Sequence, residues 1–125
     1  MATVYTQAGE EKVIDIIDGT ATSPTDLGTS NNFVGWGTGA GTAAKADTVL
    51  FTEASESRVG GAVSQAAVDK NQWVATLTAD GGKTITNAGL FDASSGGTLV
   101  IHGDFTGIVL ATGDKIEFTI QGTHS

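Results

Sequence analysis

Short apolar segments separated by turn residues are the feature that most restricts the fold of this chain. The clearest is segment 115–121, in which Ile116, Phe118 and Ile120 alternate with polar residues, as in a strand with one buried face. Segment 72–79 alternates in the same way. Such segments recur at a spacing of about ten residues, which is typical of antiparallel β-sandwiches and barrels.

Segment 84–92 is predicted to be the central strand. Strict alternation places Ile85 and Phe91 on one face and Leu90 on the other, so the strand would be buried on both faces. Glycine-rich turns precede and follow it, and they favour antiparallel neighbours. We expect Phe91 to pack with the apolar face of the last strand.

One helix is predicted near the N-terminus, from Gly9 to Gly19. Val13, Ile14 and Ile17 share a face at helical spacing, and glycine is a common helix terminator. Residues 1–8 contain too few apolar side chains to be held by their own domain, so they are predicted to form an N-terminal arm or an edge strand. Residues 9–125 are then a single all-β domain, an antiparallel β-sandwich or jelly-roll-like fold with one short N-terminal helix.

The charge of the chain argues against several classes of partner. The formal net charge is −8, and the six Lys and Arg residues are scattered along 125 residues. Nucleic-acid binding depends on clustered basic residues, and an anionic membrane surface would repel such a chain. No apolar run approaches the roughly 18 residues of a membrane span. We therefore expect neither nucleic acid nor a membrane as a partner.

No known arrangement of catalytic or metal-binding residues is evident. The glycine-rich segment 35–41 is not a phosphate loop, because Ala46 follows the nearby Lys45, and no βαβ pattern follows it. The chain has no cysteine and only two histidines, His102 and His124. His102 is expected to face solvent at a strand end. We predict that the protein is not an enzyme and needs no metal or cofactor.

Three segments resemble a pattern found in small structural proteins of tailed bacteriophages. They are a glycine-rich strand end at 33–41, a Leu50-x-x-Glu53 step followed by Arg58, and an Ile-Thr-x-Ala-Gly-Leu-Phe-Asp strand at 85–92. Similar steps occur in phage tail-fibre and collar N-terminal domains, where a glutamate is common at the position of Asn87. The resemblance implies a structural role in the virion without catalytic residues.

Among phage structural proteins, a small acidic β domain is similar to the decoration (cement) proteins of phage heads. That similarity implies a homo-oligomer, most simply a trimer, on the outer surface of the capsid with the major capsid protein as partner. An acidic domain also suits the outside of a DNA-filled shell. A tail or collar component, such as a fibre base or adaptor, is the alternative.

A sugar-binding β-sandwich is a further alternative, and it requires Trp36 and Trp73 to be exposed on one patch. The candidate capsid or subunit interface residues are Val4, Tyr5, Trp36 and Arg58.

Overall fold

The computed structural model describes residues 3–20, 27–28 and 30–124, which form one helix and eight strands. The helix is α1 (Gln7–Asp18). The strands are β1 (Thr3–Tyr5), β2 (Phe33–Gly37), β3 (Val59–Gly60), β4 (Ala62–Ala67), β5 (Lys70–Thr78), β6 (Lys83–Phe91), β7 (Leu99–Leu110) and β8 (Lys115–Thr123). No helix in these ranges is long and apolar enough to span a membrane.

The strands form two antiparallel sheets. A five-stranded sheet has the order β1-β7-β6-β2-β3, and a three-stranded sheet has the order β4-β5-β8. Only Gly61 separates β3 from β4, so the chain passes between the sheets at that edge. The predicted antiparallel β-sandwich with one short N-terminal helix is confirmed. The segment predicted to be central, β6, lies third among the five strands of the larger sheet.

The main core lies between the two sheets, and it is built from the inward rows of both. Its most deeply buried members are Val34, Trp36, Leu77, Ile85, Leu90 and Val100. Phe91 is not among them, because it packs with Leu50 and Leu99 in a second cluster. The expected packing of Phe91 against β8 is therefore wrong. Two irregularities in the β6–β7 register break the strict alternation on which that expectation depended.

The last strand is less buried than its alternation predicts. Ile120 is buried, whereas Ile116 and Phe118 are half-buried and pack against the core. The reason is that β8 is an edge strand, paired with β5 on one side only. One flank of the sandwich therefore stays open beside β8.

Residues 3–5 form β1, an edge strand of the larger sheet, which is one of the two forms predicted for the N-terminal segment. β1 pairs with β7, with Val4 opposite His102, so backbone hydrogen bonds hold the segment where apolar side chains are few. Thr6 is fully buried; its hydroxyl donates to the carbonyl of Leu99 and accepts from the Gly9 amide at 2.9 Å as the N-cap of α1. The helix ends at Gly19 in a left-handed conformation, with φ 73°, as the sequence predicted.

Candidate functional site

The described residues contain no group of three or more His, Asp or Glu side chains placed to hold a metal ion. The functional candidates of this fold are therefore considered as surfaces. Two questions decide which surfaces are available: where the structure places the predicted interface residues, and which apolar side chains it leaves exposed.

Arg58 is engaged almost completely inside the chain. Its guanidinium contacts both carboxylate oxygens of Glu53, at 2.8 and 3.0 Å, and stacks 3.4 Å from the ring centroid of Phe91. It also donates to the carbonyls of Ala93 at 2.9 Å and Gly96 at 2.8 Å. Only 7 % of the side chain is exposed. Arg58 therefore fastens three segments together and offers little surface to a partner.

Asp92 continues this internal network toward the helix. Its carboxylate accepts from the Thr98 amide at 2.7 Å and pairs with Lys12 of α1 at 3.3 Å. The Leu-x-x-Glu…Arg step and the Gly-Leu-Phe-Asp strand of the sequence thus meet in space around Phe91. Their role in this domain is to hold the loop after β2, the turn after β6 and the helix against the larger sheet.

His102 is fully buried, so its expected position at a solvent-facing strand end is wrong. Asn87 accepts from the Phe51 amide and donates to the Phe51 carbonyl, which turns its side-chain oxygen toward His102 Nε2 at 3.0 Å. His102 Nδ1 lies 2.7 Å from Asp47 Oδ2. Both ring nitrogens therefore face hydrogen-bond acceptors, and the group fixes the loop after β2 to the sheet. The spacing of Asp47, Asn87 and His102 in the sequence did not indicate this group.

Trp36 and Trp73 are buried, with 1 % and 2 % of their surface exposed. Each indole donates inside the chain, Trp36 to Glu56 at 3.0 Å and Trp73 to the Leu27 carbonyl at 2.9 Å. The exposed tryptophan patch that sugar binding requires is absent from these two positions. Trp36 is also too buried to act as an interface residue.

Glu56 sits at the centre of an ion-pair network beside Trp36. Its carboxylate contacts Lys83 and accepts from the Asp80 amide at 2.9 Å. Burial favours the protonated form, but hydrogen bonds from Lys83, the Asp80 amide and the indole outweigh it and lower the pKa of Glu56 to about 2. The same carboxylate and that of Asp80 raise the pKa of Lys83. Glu56 and Lys83 are therefore both charged throughout the physiological pH range.

Val4 and Tyr5 are the two candidate interface residues that border open surface. Both are half-buried and line a cavity of about 780 Å³ at the open flank, between β1 and the edge of β8. The hydroxyl of Tyr5 lies 3.3 Å from His124 Nε2, and burial raises the pKa of Tyr5. Of the four candidate interface residues, Val4 and Tyr5 thus border open surface, whereas Trp36 is buried and Arg58 is engaged within the chain.

Residues 6–124 match the family described as podophage GP4 fiber I protein gp80. The chain belongs to this family. A comparison with curated proteins finds no match. Membership supports the coarser part of the sequence interpretation, a structural protein of a bacteriophage virion. The family description names a fibre protein, so the tail or fibre alternative fits it at least as well as capsid decoration does.

In this family member, the helix α1 exposes several apolar side chains to solvent. Ile14, Ile16 and Ile17 are 55 %, 37 % and 77 % exposed. The sequence predicted a shared apolar face of Val13, Ile14 and Ile17 on this helix. Only Gly9 of the helix is buried, because the helix packs on β7 through its first turns and leaves the later isoleucines uncovered.

Proposed function

We propose that this chain is a structural subunit of the fibre apparatus of a podophage virion. The observation that carries the proposal is the match to a phage fibre protein family over residues 6–124, nearly the whole chain. The match includes both sheets and the helix, so it concerns the domain as a unit.

The surface of the domain supports an assembly role. Two strands of the smaller sheet, β4 and β8, have one edge each without a partner strand in the described part of the chain. The helix exposes isoleucines, and exposed apolar patches on a folded domain commonly mark interaction sites. A subunit that joins other virion proteins needs such surfaces.

Capsid decoration is the second candidate, with the major capsid protein as partner. The formal charge of −8 favours it, because an acidic domain is tolerated better outside a DNA-filled shell than inside it. The same charge suits an external fibre equally well. The family description therefore decides the order of the two candidates.

Immunogold labelling of purified virions tests the proposal. Gold at the tail or fibres is the expected result, with virions incubated in antibody pre-absorbed with the pure chain as the control. Regular labelling of the head surface would overturn the fibre assignment in favour of decoration. Detection of the protein in infected cells but not in purified virions would overturn both.

A further inference from the structure

We propose that the groove beside α1 binds an apolar segment that carries basic residues, supplied by a different protein and not by a second copy of this chain. Two adjoining cavities of about 510 and 240 Å³ form the groove. They share Tyr5, Val13 and His124. The inference concerns the chemistry of the partner, and it holds for either position of the chain in the virion.

The larger of the two cavities is mostly apolar, whereas the smaller one also includes Glu10. The larger cavity is lined by Ile16 and Ile17 of the helix, by Leu27, and by Val63 and Trp73 of the smaller sheet. None of its lining residues is Lys, Arg, Asp or Glu. Ile14, Ile16, Ile17 and Val63 together expose on the order of 400 Å² of apolar surface, about half of what one partner buries in an ordinary specific interface. A single helix or extended segment would cover that area.

The groove exists because the apolar stripe of α1 is wider than the surface that the domain covers. The helix is fastened at its first turns, where Gly9 approaches the backbone of Val100. At 100° per residue, Ile14 points about 140° and Ile17 about 80° away from the direction of Gly9. They are therefore left facing outward beside the sheet, where folding of the domain itself cannot bury them.

The rim of the groove is acidic. α1 carries four carboxylates and one basic residue, Lys12, which pairs with Asp92. Glu10 pairs with Lys45, and the other three carboxylates are those of Glu11, Asp15 and Asp18. Glu11 and Asp18 stand three residues before and four residues after Ile14, so they are its neighbours on the helix surface. An apolar segment flanked by Lys or Arg would complement this rim, and electrostatic complementarity of this kind selects partners.

A second copy of the chain does not supply that complement. Four of its six basic side chains, Lys12, Lys45, Arg58 and Lys83, already pair with carboxylates within the fold. Two α1 faces packed together would set the acidic rims against each other. Like charges placed across an interface are unfavourable, so the groove favours a basic partner over itself.

Binding of two matched peptides tests the proposal. The first peptide is a fluorescein-labelled amphipathic helix with leucines at i, i+3, i+4 and i+7 spacing and lysines elsewhere. The second peptide is identical except that glutamates replace the lysines. Anisotropy titration of the full chain should give at least about tenfold tighter binding of the lysine peptide. Binding should weaken as salt is raised.

Three variants assign the binding to the groove. Ile17→Ser should weaken the lysine peptide about tenfold or more, as expected for loss of a central apolar contact. Val109→Ser should leave it unchanged, because Val109 is 79 % exposed near the other end of β7. The double variant Glu11→Gln, Asp18→Asn should reduce the preference for lysine over glutamate several-fold. The substituted residues Ile17, Val109, Glu11 and Asp18 are all exposed. The variants are therefore expected to fold.

Several results would overturn the proposal. Equal affinity for the two peptides would remove the charge argument, and normal binding by Ile17→Ser would place the peptide elsewhere on the acidic surface. Conversion of an oligomer into a monomer by Ile17→Ser would show that a second copy occupies the groove. Binding to phosphatidylcholine vesicles that Ile17→Ser abolishes would show that a lipid surface does.

Discussion

At the scale of single residues, Arg58 joins Glu53, Phe91 and the turn after β6 through its guanidinium. Arg58→Lys keeps the charge but cannot reach both Glu53 oxygens and two carbonyls at once, because the ammonium lacks the planar fork of the guanidinium. We expect the free energy of unfolding to fall by about 2–3 kcal/mol in urea denaturation.

The control for Arg58 is Lys45→Ala, which removes an exposed ion pair with Glu10. Pairs of that kind contribute little, so a change below about 0.5 kcal/mol is expected. If Arg58→Lys and Lys45→Ala lower the free energy of unfolding by the same amount, Arg58 does not hold these segments together in solution.

The lowered pKa of Glu56 makes stability depend on pH. Its folded pKa of about 2 is below the ordinary value of 4.5, so its contribution is complete above pH 4.5 and is lost as the pH falls toward 2. Compared with Glu56→Gln, the native chain should be about 1–3 kcal/mol more stable at pH 7. Urea denaturation from pH 7 to 2 should show this difference disappearing.

Glu117→Gln is the matched control, because it removes the same charge from an exposed position on β8. Removing any one negative charge reduces the repulsion within a chain of charge −8, and Glu117→Gln measures that general effect on stability. A stability difference for Glu56→Gln that persists at pH 2 would refute the role of the carboxylate.

Residue roles were the least predictable part of the site. The sequence singled out Leu50, Glu53, Arg58 and the Phe91-Asp92 pair together, and the structure does bring them together. Their roles were not predictable, because an arginine in a surface loop has the same local sequence whether it faces a partner or folds back onto Phe91. The group of Asn87, His102 and Asp47 depends on contacts 15 and 55 residues apart, which leave no local pattern.

At the scale of elements, the docking of α1 on β7 is the contact most open to test. A Cβ on Gly9 would lie 2.2 Å from the carbonyl oxygen of Val100, and backbone atoms cannot move aside cheaply. In an isolated helix, alanine is favoured over glycine by about 1 kcal/mol. Here the clash should dominate, and Gly9→Ala should destabilise the fold by about 1–3 kcal/mol in thermal or urea unfolding.

Gly81→Ala is the control for that substitution, since no atom lies within 4 Å of its Cβ position. Its effect should stay within about 0.5 kcal/mol. Stabilisation by Gly9→Ala would mean that α1 does not pack on β7 as the structure has it.

Element types were easier to predict than element partners. Alternation and turn glycines located β5, β6 and β8, and Gly19 marked the end of α1, since these signals are local. β1 was uncertain because pairing with β7 is made by backbone atoms, which every sequence possesses. The Phe91 prediction failed because the irregularities in the β6–β7 register change which side chains share a face.

At the scale of the whole molecule, fold class followed from composition and pattern, whereas the exposed surfaces did not. An apolar helix face is predicted to be buried whether the domain or a partner covers it. The sequence therefore identified Val13, Ile14 and Ile17 as one apolar face without indicating whether the domain or a partner covers it. What decides the outcome is how much of the helix the neighbouring strands reach, and that depends on the tertiary arrangement.

The last prediction concerns self-association through the smaller sheet. Its two outer strands are β4, whose six residues are all exposed and uncharged, and β8. Pairing of β4 of one copy with β8 of the next is a head-to-tail contact that can close into a ring. Of the possible rings we expect the trimer that the resemblance to decoration proteins implies, with three times the chain mass of 12.6 kDa in light scattering.

Salt and one edge substitution distinguish this trimer from binding in the α1 groove. Copies of charge −8 repel each other, so screening should strengthen self-association as salt rises, opposite to the lysine peptide. Ser64→Lys lowers the net negative charge and yet should weaken the trimer, because a lysine on an edge strand blocks strand pairing. Ile17→Ser should leave it intact. A monomer at every salt concentration, or a trimer indifferent to Ser64→Lys, would show that these edges do not meet.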